Sequence, residues 1–112
     1  LRANGKVNKN TAMLAELDIN RDLLRDVCKR WHITRLSVFG SALRDDFGPE
    51  SDVDVLIEFD PEHIPGWEIV DVGDDLSRVF GGRYVDMVFP ESVLPRLKDR
   101  ILGNAVVQYE SQ

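Results

Sequence analysis

From Asp52 to Phe59 the chain alternates two kinds of side chain, residue by residue. Successive side chains of a strand point to opposite faces, so Val53, Val55, Ile57 and Phe59 share one face, and Asp52, Asp54, Leu56 and Glu58 the other. The apolar face belongs on a core. The other face carries two carboxylates about 7 Å apart by the usual rise of a strand, close enough to ligate a common ion.

What precedes this strand brings more chemistry to it. Leu36–Phe39 is short and apolar, and reads as a buried strand ending at Gly40. Ser41 to Arg44 can begin a short helix whose free N–H groups attract a phosphate. Asp45–Ser51, with Gly48-Pro49, is a loop that returns the chain. So short a connection favours an antiparallel pair, which sets Gly40 and Ser41 beside Asp52 and Asp54.

A third strand is expected over Tyr84–Phe89. There Val85, Met87 and Phe89 face the core, while Tyr84, Asp86 and Val88 face the other way. Aspartate is depleted in strand interiors, so Asp86 needs a partner or a task.

Helices fill the intervals. From Asn20, a cap, the residues Leu23, Leu24, Val27 and Trp31 form one face, with Asp22 near the positive end and Lys29 and Arg30 near the other. Ile69, Val72, Leu76, Val79 and Phe80 mark a second helix closed by Gly81-Gly82, although Gly73 inside it costs about 1 kcal/mol against alanine. Trp67 is expected to serve in the core or in packing rather than as a stacking platform, and apolar residues left over near Trp67, Tyr84 or the last helix are candidate contacts for a partner protein. Ser92 can cap a last helix through Leu97 and Ile101, with Pro95 in its first turn and Gly103 near its end. The tail from Asn104 to Gln112 is ambiguous. Alternating helices and strands make the class α/β.

With 112 residues and 43% hydrophobic composition, one core is affordable. The expected organisation is a single domain over residues 13–112 after a loose leader or expression remnant at 1–12. A net charge of -6 argues against a nucleic-acid footprint. Twelve acids and no Lys or Arg lie between Arg44 and Arg78, a cation-attracting block. Cys28 is the only cysteine, which rules out an internal disulfide and fits a reducing, cytoplasmic setting. No apolar run approaches the roughly 20 residues that cross a bilayer. His32 has no second His or Cys at metal-binding spacing and reads as a helix-end or surface residue.

Three aspartates on one sheet face repel one another when ionised, and a divalent cation holds such a set together. Oxygen-only ligands point to Mg2+ or Mn2+. Two such ions between Asp52, Asp54, Asp86 and a nucleoside triphosphate would orient the phosphates and neutralise a leaving pyrophosphate, with Asp86 as base toward an attacking hydroxyl. Gly40 lets backbone approach the phosphates, Ser41 offers a hydroxyl and an N–H, and Arg44 can reach a phosphate oxygen. Each also has a plainer use: Gly40 as a strand end, Ser41 as a helix cap, Arg44 as a partner of Asp45 or Asp46.

Gly40-Ser41, ten intervening residues and Asp52-x-Asp54 resemble the signature of the DNA polymerase beta-like nucleotidyltransferase superfamily, and the small size resembles its minimal, MNT-type branch. The likeness covers residues 20 to 110, including Asp86 and the closing stretch Pro95–Leu102. It departs at Asp45-Asp46, where many members carry Gly-Glu or similar residues. The resemblance implies a small mixed β-sheet flanked by helices, and transfer of AMP from Mg2+-bound ATP to a hydroxyl. It further implies an antitoxin that silences a HEPN-type ribonuclease toxin by adenylylating a tyrosine, by binding, or by both. The chain's size leaves no room for a second, acceptor-holding domain, which favours a protein acceptor. Non-catalytic occlusion of the toxin is the alternative, and transfer to a small molecule ranks below both.

Overall fold

The strand that begins at Val53 runs to Phe59 and lies at the heart of a four-stranded sheet. The computed structural model describes residues 17–43, 48 and 51–111. The expected leader at 1–12, Arg44 and most of the 45–50 loop lie outside them. In chain order the elements are helix α1 (Arg21–Arg30), strand β1 (Ile33–Phe39), a 3-10 turn (Gly40–Leu43), β2 (Val53–Phe59), α2 (Ile69–Val79), β3 (Val85–Val88), a second 3-10 turn (Pro90–Ser92), α3 (Pro95–Asn104) and β4 (Val106–Glu110). The sheet order is β3-β2-β1-β4. β1 is antiparallel to both β2 and β4, whereas β2 and β3 run parallel with α2 as their crossover, so the sheet is mixed.

The core occupies one face of this sheet. Leu36 and Val38 of β1 stand opposite Ile57 and Val55 of β2, all four are buried, and they belong to one cluster with Leu24 and Val27 of α1 and Val72, Leu76 and Val79 of α2. Asn20 caps α1 by accepting the Leu23 N–H at 3.1 Å, and its own N–H reaches the Val79 carbonyl at 2.9 Å. Asp75 of α2 locks the two helices together: it accepts from Trp31 Nε1 at 2.8 Å and pairs with Arg78 at 2.6 Å and Arg30 at 3.3 Å. The Trp31 hydrogen bond, backed by the two guanidinium groups, holds this carboxyl below its usual range against the opposing effect of burial. Gly73 leaves α2 unbroken, because a Cβ there would come within 3.1 Å of Met87 Cε: the glycine lets β3 pack close.

The second face is covered only in part. Ser37 and Leu56 stand opposite each other and are buried. Leu56 borders a narrow gap shared with Val93, Ile101 and Leu102, on the side of α3. Further along, Arg35 pairs with Glu58 at 3.4 Å and Glu110 at 3.0 Å. That arrangement explains why β1 starts at Ile33 rather than Leu36: the apparent polar break is a cross-strand ion pair on the solvated face.

Other expectations need correction. Trp67 is not in the core but 95% exposed, because Ile69, Val72, Leu76 and Val79 take the inner side of α2. Ser92 does not cap α3; its hydroxyl donates to the Phe89 carbonyl at 2.8 Å, and Leu94 precedes the helix without a side-chain cap. The ambiguous tail contains β4, whose register slips between Leu36 and Ser37 and so breaks simple alternation. His32 lies exposed just beyond α1, as expected, and His63 stacks on it with ring centroids 3.8 Å apart. Rings stacked face to face direct their in-plane nitrogen lone pairs along parallel planes, an arrangement unsuited to sharing one ion.

Candidate active site

β2 and β3 pair in a register that sets Asp54 directly opposite Asp86, with Val53 opposite Val85 and Val55 opposite Met87. Residues so paired share a face, and neighbouring strands are about 4.8 Å apart. Asp52 lies just before β2 and is exposed, two positions from Asp54. The three carboxylates therefore belong to one end of the second sheet face, the end at which β2 and β3 begin. Among the described residues, no group of three His, Cys, Asp or Glu side chains converges tightly enough to be a preformed metal cage.

On its other side Asp54 stands opposite Phe39, so the turn after β1 lies against it. Gly40 takes a positive φ of 71°, and a methyl group built on it would collide with the Asp54 carboxylate. Both constraints require glycine here. Ala42, fully buried, anchors the same turn in the core. Ser41 sits in the turn by its backbone, whereas its side chain and the whole of Arg44 lie outside the described residues.

One residue that the sequence did not single out organises this end of the sheet. Arg83, half-buried just before β3, donates through Nη1 to the carbonyls of Gly48 at 2.7 Å and Ser51 at 2.9 Å. Its own carbonyl accepts from the Ser77 hydroxyl of α2 at 2.7 Å. The Val53 N–H donates to the Tyr84 carbonyl at 3.0 Å. The loop between the turn and Asp52 is thus tied to the strand that carries Asp86. Only the position of Arg83 after Gly81-Gly82 hinted at this, because a lone arginine has no sequence signature.

A concavity of about 720 Å³ lies elsewhere, among Cys28, His32, Thr34, Asp60 and Tyr109 near the start of β1. β1 has its Gly40 end at the carboxylates, so this hollow is at the opposite end of the sheet and takes no part in the constellation.

Comparisons with known proteins agree with this fold. The family profile described as "Nucleotidyltransferase domain" matches residues 21–107. A Methanocaldococcus jannaschii protein provisionally named a protein adenylyltransferase is 39% identical over 74 residues, spanning 66% of this chain and 77% of that protein. A solved structure provisionally named a minimal nucleotidyltransferase superposes with a TM-score of 0.63 at 26% identity, over 91% of this chain and 98% of the other. A toxin–antitoxin complex with AMP-PNP aligns with a TM-score of 0.59 at 15% identity, over 84% and 76% of the two chains. The MntA–HpeT toxin–antitoxin pair, in a variant with two aspartates changed to glutamate, gives 0.57 at 14%, over 84% and 75%. At such identities the last two speak for the fold alone.

Proposed function

This chain belongs to the nucleotidyltransferase domain family, and on that premise we propose that it is an antitoxin that transfers AMP from ATP to a hydroxyl of a partner toxin. The observation that carries the reading is the placement of Asp54 between Asp86 on one side and the Gly40 turn on the other. The name of the archaeal relative supports a protein as acceptor. The toxin–antitoxin neighbours, one of them titled for a nucleotide analogue, support a toxin as that protein.

The residues suit the task by their chemistry. Carboxylate oxygens of Asp52, Asp54 and Asp86 are the donors that Mg2+ prefers, and no softer ligand stands among them. Bound there, Mg2+ would supply charge neutralisation for the triphosphate and the departing pyrophosphate. The Gly40–Leu43 turn presents backbone to phosphate at a point where any larger residue would strike Asp54. Asp86 accepts the proton of the acceptor hydroxyl as its oxygen bonds to the α-phosphorus and the bond to pyrophosphate breaks. Ser41 and Arg44 complete the phosphate contacts. The acceptor is a tyrosine of a HEPN-type ribonuclease in this reading.

A second reading is inhibition by occupancy alone, favoured by the exposed Trp67 and Ile64. One experiment separates the two. With Mg2+, labelled ATP and the protein encoded beside its gene, the wild type should label that protein. Labelling no greater than that by the Asp52→Ala/Asp54→Ala variant overturns the enzymatic reading. Neutralisation of the toxin in cells by the same variant supports occupancy.

A further inference from the structure

Three apolar side chains line the outer side of the segment that winds into α2: Ile64 is 68% exposed, Trp67 95% and Val70 66%. Trp67 and Val70, three apart, fall side by side where the chain becomes helical, the Val70 N–H donating to the Trp67 carbonyl at 3.4 Å, and Ile64 precedes them in the irregular lead-in. The fold draws nothing from them. Burying a side chain of this kind is worth about 1.5–3 kcal/mol, so the stripe forgoes several kcal/mol in the isolated chain.

Beside the stripe a groove of about 460 Å³ opens, lined by Phe59, Ile64, Pro65, Ile69, Phe89 and Glu91. The rings of Phe59 and Phe89 lie 6.1 Å apart. The segment that forms one wall of the groove carries charge of one sign. Glu62, Glu68, Asp71 and Asp74 are exposed on the same segment, and no Lys or Arg occurs between Arg44 and Arg78. Phe89 follows Asp86 by three positions and so faces the other side of the sheet, and the groove lies at the far end of β2 and β3 from the carboxylates.

We propose that this groove and the Trp67 stripe are the docking surface for a partner protein, which seats an amphipathic segment with an apolar anchor flanked by Lys or Arg. Apolar anchors fill a pocket of this kind, and Trp is the residue type most enriched where binding energy concentrates. The acidic surround steers a cationic segment and repels nucleic acid and anionic lipid. A second copy of this chain fits poorly, because a two-fold contact would set one acidic rim against its own copy. The inference stands independently of the transferase reading.

The test needs neither nucleotide nor metal, so it stands apart from the activity. A short amphipathic helical peptide of Leu and Lys, carrying a fluorophore, is titrated with the full chain and followed by anisotropy. Binding is expected, weakened about tenfold or more by Trp67→Ser and by Glu68→Lys/Asp71→Lys, and left unchanged by Val107→Ser on the exposed face of β4. Because Trp67 is exposed, its replacement should leave the melting temperature unaltered. No binding, equal binding by Trp67→Ser, or equal binding of a peptide with Ser in place of Leu overturns the proposal. So does self-association of the wild type that Trp67→Ser abolishes, which would make a second copy the occupant.

Discussion

Asp54 and Asp86 stand directly opposite each other on parallel strands, although 32 positions of sequence separate them. A register shift of one residue would turn one of them into the core, so the packing of Val53, Val55 and Val85 fixes the pair. The site is in this sense a product of the core.

Gly40→Ala is the sharpest probe of the turn. The positive φ alone penalises alanine by about 1–2 kcal/mol, and the added methyl displaces the Asp54 carboxylate. The variant should melt at lower temperature and bind Mg2+-ATP more weakly in calorimetry. Unaltered nucleotide affinity would remove the turn from the site.

Arg83→Ala deletes two hydrogen bonds to the loop carbonyls, each worth about 0.5–1.5 kcal/mol. Limited proteolysis should then cut faster between Leu43 and Ser51, and KM for ATP should rise more than kcat falls. A variant cleaved and saturated like the wild type would show that the tether is dispensable.

Strict alternation made β2 legible to the residue, and with it the side of the sheet on which Asp52 and Asp54 lie. Asp86 was legible for the same reason. The tail was not, because β4 pairs across a register slip that alternation cannot anticipate. Trp67 misled because hydrophobicity argues for burial, whereas helical phase decides it, and the inner positions of α2 were already filled. The meeting of His32 with His63 and the reach of Arg83 across to the loop depend on tertiary closure, which leaves no local pattern.

Asp75→Ala strands the Trp31 indole N–H and frees two arginines, at a cost of about 1–3 kcal/mol. Because the folded carboxyl titrates below its ordinary value, its stabilisation is complete above the unfolded pKa and fades as pH falls through the folded one. Urea denaturation should give a constant difference from wild type at neutral pH, shrinking below about pH 4. A difference that persists undiminished in acid would refute the assignment.

Cys28 is fully buried, and burial pushes its thiol pKa up to about 12. Thiolate is the reactive form, so iodoacetamide at mildly alkaline pH should modify the folded protein far more slowly than the urea-unfolded chain. Equal rates would mean that the α1 end of the core opens freely.

The central claim is that Asp86 takes the acceptor proton at a site it shares with Asp52 and Asp54. Transfer of labelled AMP to the neighbour-encoded partner, measured beside Mg2+-ATP binding for wild type and Asp86→Asn, tests it most directly. The account predicts transfer reduced by about 100-fold or more while nucleotide binding falls by about tenfold at most. Transfer by Asp86→Asn at the wild-type rate would contradict it.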